Sequence, residues 1–220
     1  MKTAVITGAN RGIGFALVEE YLAQGWQVFA ICRSVSDELL ATKATVISGI
    51  DVSDGEAVAK LPALLNHVPV DLLINNAGIF LNETLGNIDY STIAQQFLVN
   101  ATAPLNVTET LLAQLTKGSK IAFITSRMGS IADNTSGAYY GYRMSKAALN
   151  AAAMSLTRDL KPRGISIAIL HPGYVQTAMV NFGGDISPKE SAKRLGQRIA
   201  ELTLENSGGF WHSNGEKLPW

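Results

Sequence analysis

The 220-residue chain has a single cysteine, Cys32, so neither an internal disulfide framework nor a thiolate metal cluster organises it. Its charge is balanced, 18 basic against 18 acidic side chains, which leaves no global field to draw it toward DNA, RNA or anionic lipid. That argues against a nucleic-acid binder. No apolar stretch approaches the roughly 18 residues of a membrane helix. The opening Met1-Lys2-Thr3-Ala4-Val5-Ile6-Thr7-Gly8 has too short an apolar part for an export signal and soon meets Arg11. These absences predict a soluble, cytoplasmic chain with no membrane partner. Charged residues are scarce at 16%, which implies that part of the surface is covered, for instance between subunits. Motifs of other chemistries are missing too. Without Gly-Lys-Ser/Thr a nucleoside triphosphatase is disfavoured, and without Gly-x-Ser-x-Gly so is a Ser-His-Asp hydrolase. His67, His171 and His212 show no metal-ligand spacing among themselves or with Cys32, so metal catalysis is not implied; local packing or hydrogen bonding is the expectation for His171.

What the chain does have is 47% apolar residues, enough for a large core. Short β-rich runs fall at Thr3 to Thr7, Gln27 to Cys32, Ala44 to Ile50, Val70 to Asn75, Lys120 to Thr125 and Ile165 to Leu170. Their near-continuous apolar character suits strands covered on both faces. Between them lie stretches with helical spacing, such as Ile13, Leu17 and Tyr21 on one face. Ser187-Pro188-Lys189-Glu190 has the form of a capping box, followed by Leu195, Ile199 and Leu202 at core spacing. Val58, Leu61 and Leu65 read as helical, but Pro62 must kink or start that helix. Strand-helix alternation predicts one α/β domain over residues 1–220, a Rossmann-type doubly wound parallel sheet with helices on both faces. Ligands of such sheets bind beyond the carboxyl ends of the strands.

After the first strand comes Thr7-Gly8-Ala9-Asn10-Arg11-Gly12-Ile13-Gly14. Glycines there let the backbone approach a pyrophosphate, whose charge a helix N-terminus favours. The spacing is G-x-x-x-G-x-G, different from the G-x-G-x-x-G fingerprint, and tight packing is the competing explanation. The second strand ends Ile31-Cys32-Arg33-Ser34, with no acid to accept from the ribose hydroxyls of NAD. Arg33 and Arg11 together suit a 2′-phosphate through forked, charge-assisted hydrogen bonds. NADP(H) is therefore expected in preference to NAD(H); two solvated arginines are the plainer alternative. S-adenosylmethionine also fits such loops but would want an acid after the second strand.

Tyr142-Arg143-Met144-Ser145-Lys146 places a phenol and an ammonium four residues apart, on one helix face. Bringing a tyrosine from ~10 to ~7 needs about 4 kcal/mol in favour of the phenolate. One cation at ~4 Å in an effective dielectric of ~20 supplies about that much. The pair could therefore act as a tuned general acid–base. Tyr139 with Arg143 makes a decoy at the same spacing, and Tyr140 lies beside it.

Thr7-Gly8 through Gly14, Asn75-Asn76-Ala77-Gly78, and Tyr142 with Lys146, in this order, resemble the short-chain dehydrogenase/reductase family over essentially the whole chain. Ser126 to Ile131, Asp133 to Gly137 and Gly215 to Trp220 are similar to its C-factor-like branch. The resemblance implies hydride transfer between a nicotinamide cofactor and a small-molecule carbonyl, with Tyr142 as acid–base and Lys146 lowering its pKa and holding the nicotinamide ribose. It implies Asn100 as the holder of a relay water and Ser126 as the group that polarises the carbonyl. Ser130 is the fallback, because the Ser126-to-Tyr142 interval of 16 residues is long for the family. Cofactor contacts are implied for Gly8, Asn10, Arg11, Gly12, Ile13, Gly14, Arg33 and Ser34. Asp51 and Val52 would meet the adenine (a helix cap at Asp51 is the alternative). Asn76, Ala77 and Gly78 would floor the ribose, or simply form a tight strand exit. Pro172, Gly173, Val175 and Thr177 would line the nicotinamide and diphosphate.

A second expectation belongs to another class. The C-factor branch takes its name from a cell–cell signal, so a dinucleotide-binding signalling or regulatory protein with little turnover is the rival to an enzyme. The small-residue surface of the Tyr142 helix, Ala147, Ala148, Ala151, Ala152, Ala153 and Leu156, suits close packing on a partner or, equally, inside its own domain; the family implies a homodimer or homotetramer joined through that helix and the one from about Ile88 to Leu115. Met179, Val180 and Phe182 predict an apolar pocket mouth but name no substrate.

Overall fold

The computed structural model describes residues 1–220. In chain order, β1 (Thr3–Thr7) leads to α1 (Gly12–Ala23), β2 (Gln27–Ile31), α2 (Asp37–Leu40), β3 (Thr45–Ile47), α3 (Gly55–Ala59), α4 (Leu61–Leu64) and β4 (Val70–Asn75). There follow α5 (Tyr90–Phe97), a π-helical turn (Leu98–Thr102), α6 (Ala103–Thr110), β5 (Leu115–Ile124), α7 (Tyr140–Leu160), β6 (Ser166–His171), α8 (Pro188–Ala200) and β7 (Phe210–His212). The strands form one parallel sheet in the order β3-β2-β1-β4-β5-β6-β7. This is the Rossmann-type architecture expected. Strand order reverses between β1 and β4, which opens a crevice at their carboxyl ends.

Alternation along each strand divides the core in two. Val5, Phe29, Ile31, Leu73, Phe123 and Ile169 point to the face covered by α3, α4, α6 and α7, where they meet Val58, Leu61, Val107 and Leu149. Ala4, Ile6, Ala30, Ile74, Ala122 and Leu170 point the other way, onto Leu17, Tyr21, Leu195 and Ile199 of α1 and α8. Both faces are dry, which explains the unbroken apolar runs in the sequence.

Several elements depart from expectation. A seventh strand, β7, pairs with β6. It is three residues long and preceded by two glycines, too short to carry a periodic signal. The tail then folds back on it: Leu218 N–H donates to the Phe210 carbonyl, and the Trp220 ring stacks on Phe210 at 5.3 Å. β5 begins at Leu115, ahead of the expected Lys120, with its register against β4 shifting between Val70 and Leu72. β3 is shorter than expected, because Gly49 turns the chain at φ 77°. Pro62 starts a second short helix after α3 instead of kinking one long one. Ser187 caps α8 by accepting from the Glu190 N–H, but the reciprocal half of the box is absent; the Glu190 carboxylate instead pairs with Arg194 at 2.7 Å. Leu202 lies past the end of α8 yet remains buried. The long helix before β5 is interrupted by its π-helical turn. Of the alanines in α7, Ala153 faces the core, Ala151 is exposed, and Ala147, Ala148 and Ala152 are half-buried.

Phe123, near the carboxyl end of β5, is essentially inaccessible. Phe123→Ala is expected to cost about 3–5 kcal/mol, read as a lower urea midpoint with an unchanged slope.

Candidate active site

A cleft of about 860 Å³ lies over the carboxyl ends of the central strands. Its floor is stitched where β1 meets β4. The Thr7 hydroxyl accepts from Asn76 N–H and Ala77 N–H at 3.0 and 3.1 Å, and Asn76 Nδ2 donates to the Thr7 and Gly8 carbonyls. Asn76, Ala77 and Gly78 thus form a tight strand exit and also line the cleft. The glycine turn faces them. A Cβ at Gly14 would collide with the Gly8 carbonyl oxygen, so only glycine lets α1 start this close to the strand end. Thr177 rests against Gly12, at 3.3 Å from where a Cβ would stand.

Gly8, Asn10, Arg11, Gly12, Ile13, Arg33, Ser34, Asp51, Val52, Tyr142, Lys146 and Pro172 all line the same cleft. Gly173 and Val175 do not: Gly173 backs onto Ile186 and His212, and Val175 is buried where it bridges to Ile186. Lining residues that the sequence did not assign to the site include Ile79, Val99, Thr125, Gln176 and Ala178. Thr125 follows a strand, while Val99, Gln176 and Ala178 adjoin the assigned Asn100 and Thr177, signals that could have found them; Ile79 carries none.

At the β2 end, the Arg33 guanidinium lies 3.5 Å from Asp51. Asp51 is not a helix cap; Asp54 caps α3, accepting from Glu56 and Ala57 N–H. Instead Asp51 accepts from the Ser53 hydroxyl and N–H, and these bonds, with Arg33 beside it, hold its carboxyl below the usual range. Both members of this ion pair are well exposed, so its contribution to stability is small.

At the β5 end, Tyr142 and Lys146 occupy one face of α7. Lys146 Nζ donates to the Ile124 carbonyl at 2.9 Å and lies 5.8 Å from the Tyr142 ring centroid. Burial dominates both groups. It pushes Lys146 down to about 8 and Tyr142 up to about 12, with the Ser126 hydroxyl pulling the phenol partly back. The ~7 expected for Tyr142 from charge alone does not hold without ligand, because desolvation of the phenolate exceeds the attraction of a cation at this distance. Neither decoy tyrosine lines the cleft. Tyr139 packs on Phe80, and Arg143 braces the preceding loop by donating to the Gly137 and Ala138 carbonyls and to Ser136.

The two serines separate cleanly. Ser126 follows β5, accepts from Met128 N–H and neighbours the Tyr142 phenol. Ser130 is committed elsewhere: its hydroxyl donates to the Trp220 carbonyl and accepts from Asp133 N–H. Asn100 is fully buried in the π-helical turn. Its side chain accepts from Ile79 N–H at 2.8 Å and donates to the Ile79 carbonyl and Ser145 hydroxyl at 2.9 and 3.0 Å. Four residues on stands Pro104, which has no N–H, so the Asn100 main-chain carbonyl lacks its ordinary helical donor. His171 packs edge-on to His212 at 4.8 Å; its buried Nδ1 has no partner, and burial depresses its pKa to about 3.

Fold and cleft define a Rossmann-type protein whose binding crevice sits at the sheet's switch point. The profile described as short chain dehydrogenase matches residues 2–185. The 1-hydroxy-2-glutathionyl-2-methyl-3-butene dehydrogenase of Rhodococcus sp. (strain AD45) is 37% identical, with all of both chains covered. The C-signal of Myxococcus xanthus is 45% identical over 69% of this chain and 93% of its own length. Among solved structures, the NADPH-bound carbonyl reductase from chicken fatty liver superposes with a TM-score of 0.89 at 30% identity, covering 100% of this chain and 99% of the other. The chain belongs to the short-chain dehydrogenase/reductase family, in its C-factor-like branch, and is an oxidoreductase. No helix is long and apolar enough to cross a membrane.

Lys146 gives a pH signature. Between about 8 and the usual lysine value of 10.5, the unfolded chain holds a proton that the folded protein releases. Stability contributed through this residue therefore rises with pH across that window, while below it the full cost of burying the ammonium remains. The thermal-stability difference between wild type and Lys146→Met should shift in favour of wild type from pH ~7 to pH ~10. A constant difference would contradict the buried-cation geometry.

Proposed function

We propose that the protein is an NADP(H)-dependent carbonyl reductase acting on aldehydes, ketones or quinones. The observation that carries the reading is the convergence of Tyr142, Lys146 and the glycine turn on one cleft. The cleft fits a phosphate-bearing dinucleotide: its glycine turn offers main chain without side chains at Gly8, Gly12 and Gly14, Arg33 is exposed at the β2 end, and the buried Lys146 ammonium has one hydrogen-bond partner in the protein. The dinucleotide would supply the hydride. NADPH bound to the avian carbonyl reductase supports this choice of cofactor.

The chain's own groups do the rest. The Ser126 and Tyr142 hydroxyls hold the carbonyl oxygen, and Tyr142 passes its proton to that oxygen. Lys146 holds the ribose and, protonated below about 8, stabilises the phenolate left behind. Re-protonation runs through Lys146 and a water held by the Asn100 main-chain carbonyl, since the Asn100 side chain is already engaged. Arg33, now paired with Asp51, and Arg11, which lines the same cleft, would hold the 2′-phosphate. Met179 and Phe182 form an apolar mouth for the substrate. Phe97, Leu98, Leu105 and Met144, all exposed on α5 to α7, support a homodimer or homotetramer through those helices.

The 45% identity to C-signal favours one second reading, a regulatory dinucleotide binder with little turnover. A panel of aldehydes, ketones and quinones with NADPH separates them: tight NADPH binding without oxidation above background selects the regulator. For the enzyme, Tyr142→Phe should lower kcat by about 10²–10⁴-fold with NADPH affinity little changed; undiminished turnover would show the acid to be another group. Arg33→Ala should weaken NADPH by roughly tenfold or more and NADH hardly at all, in a binding titration. Equal losses would remove the 2′-phosphate argument.

A further inference from the structure

The strip Ile79–Glu83 runs between α5 and the first turn of α7, gripped from both sides. The Gln96 side chain accepts from Leu81 N–H, and Asn100 bonds both main-chain groups of Ile79. Phe80 stands edge-on to Tyr142, ring centroids 4.8 Å apart. At the end of the strip Glu83 is only 1% exposed, and it pairs with no cation. Its Oε1 accepts from the Thr92 hydroxyl at 2.7 Å and Gln96 Nε2 at 2.6 Å. Its Oε2 accepts from the Gly141 N–H at 3.0 Å, one of the donors that the start of α7 cannot satisfy internally. A carboxylate at that end of a helix is electrostatically favoured.

The contact is built closely. A Cβ at Gly141 would collide with Gln96 Nε2 and stand 2.8 Å from Glu83 Oε1, so glycine at 141 is what admits the carboxylate. The chain enters α7 through two left-handed residues, Ala138 and Tyr139, at φ 52° and 54°. Such a pair is strained and persists only when its surroundings fix it. Glu83 fixes it at a second point, its own carbonyl accepting from Tyr139 N–H at 2.9 Å.

We propose that Glu83 is a positioning residue for carbonyl reduction: by clamping the first turn of α7 to α5 it sets where the Tyr142 hydroxyl stands in the cleft. The inference rests on the reading of Tyr142 as the acid. Gln96 Nε2 and Gly141 N–H are donors only, one to each oxygen, so Glu83 must accept on both, which a carboxylate does and a side-chain amide cannot. Glutamine presents an NH₂ to at least one of those donors. Aspartate keeps the acceptors but retracts them by one methylene.

The test is Glu83→Gln and Glu83→Asp in the full chain, read by steady-state kinetics, NADPH titration and amide hydrogen exchange. In Glu83→Gln we expect kcat to fall by about 10²-fold, with KM for the carbonyl and Kd for NADPH changed little. Exchange should quicken by about tenfold over residues 139–146, while the second half of α7 stays protected. Glu83→Asp should recover part of kcat, and it carries the same test if the glutamine variant does not fold. Unchanged kcat, or exchange that quickens uniformly while kcat follows the folded fraction, overturns the proposal. Wild-type protein inactive on every carbonyl sinks the reductase reading alone. Faster exchange confined to 139–146 would then still support the clamp, and its absence would overturn it.

Discussion

One buried ammonium organises this molecule. Lys146 is held out of water with the Ile124 carbonyl as its hydrogen-bond partner, at the point where β5 ends and α7 passes over it. Burying a cation so sparsely paired is unfavourable, and a fold keeps such a group only where neighbouring elements determine its position. Here β5 and β6 fix the strand end, while the Thr125 hydroxyl, donating to Asn150 Oδ1 at 2.7 Å, ties that end to the helix. Tyr142 and Ser126 take their places relative to this contact. The same desolvation that lowers the lysine's pKa to about 8 keeps the phenol neutral, so near neutral pH the site pairs an ammonium with an un-ionised phenol.

Support for that contact comes from polar groups inside the layer of helices. Glu83, Gln96, Asn100 and Ser145 are all buried, and each bonds at least one group on another element. The network is local, and it lies on the side of the sheet carrying the large apolar side chains. Phe123 and Ile169 face it there, while Ala122 and Ala168 face α1 and α8. The cofactor half of the cleft needs less. Bare glycine backbone and the Thr7–Asn76 stitch suffice to shape it.

Much of this was legible in the residues. Apolar blocks located six strands because both faces of the sheet are covered, and glycine spacing after β1 located the turn. Tyr142 and Lys146 stood out by helical spacing, and family resemblance chose them over Tyr139. Other features left no periodic trace. β7 is too short, and the π-helical turn has the composition of any helix. Glu83 belongs to no motif, and only the folded chain reveals its partners. The Ser130 hydroxyl is taken up by the carbonyl of Trp220, ninety residues away, which no local pattern reports. The phenol's acidity was misjudged because an arithmetic of charge omits the cost of removing water.

The placement of charge along the cleft has a consequence for loading. Arg33 lies at the end of β2 and Tyr142 beside the end of β5, three strand spacings or about 14 Å apart. The exposed guanidinium is at one extremity, while the opposite extremity offers a neutral phenol and an ammonium held out of water. An elongated anion drifting toward such a groove feels a torque before it touches, and its more highly charged head is drawn in first. On the proposed reading, such an anion reaches the groove already oriented.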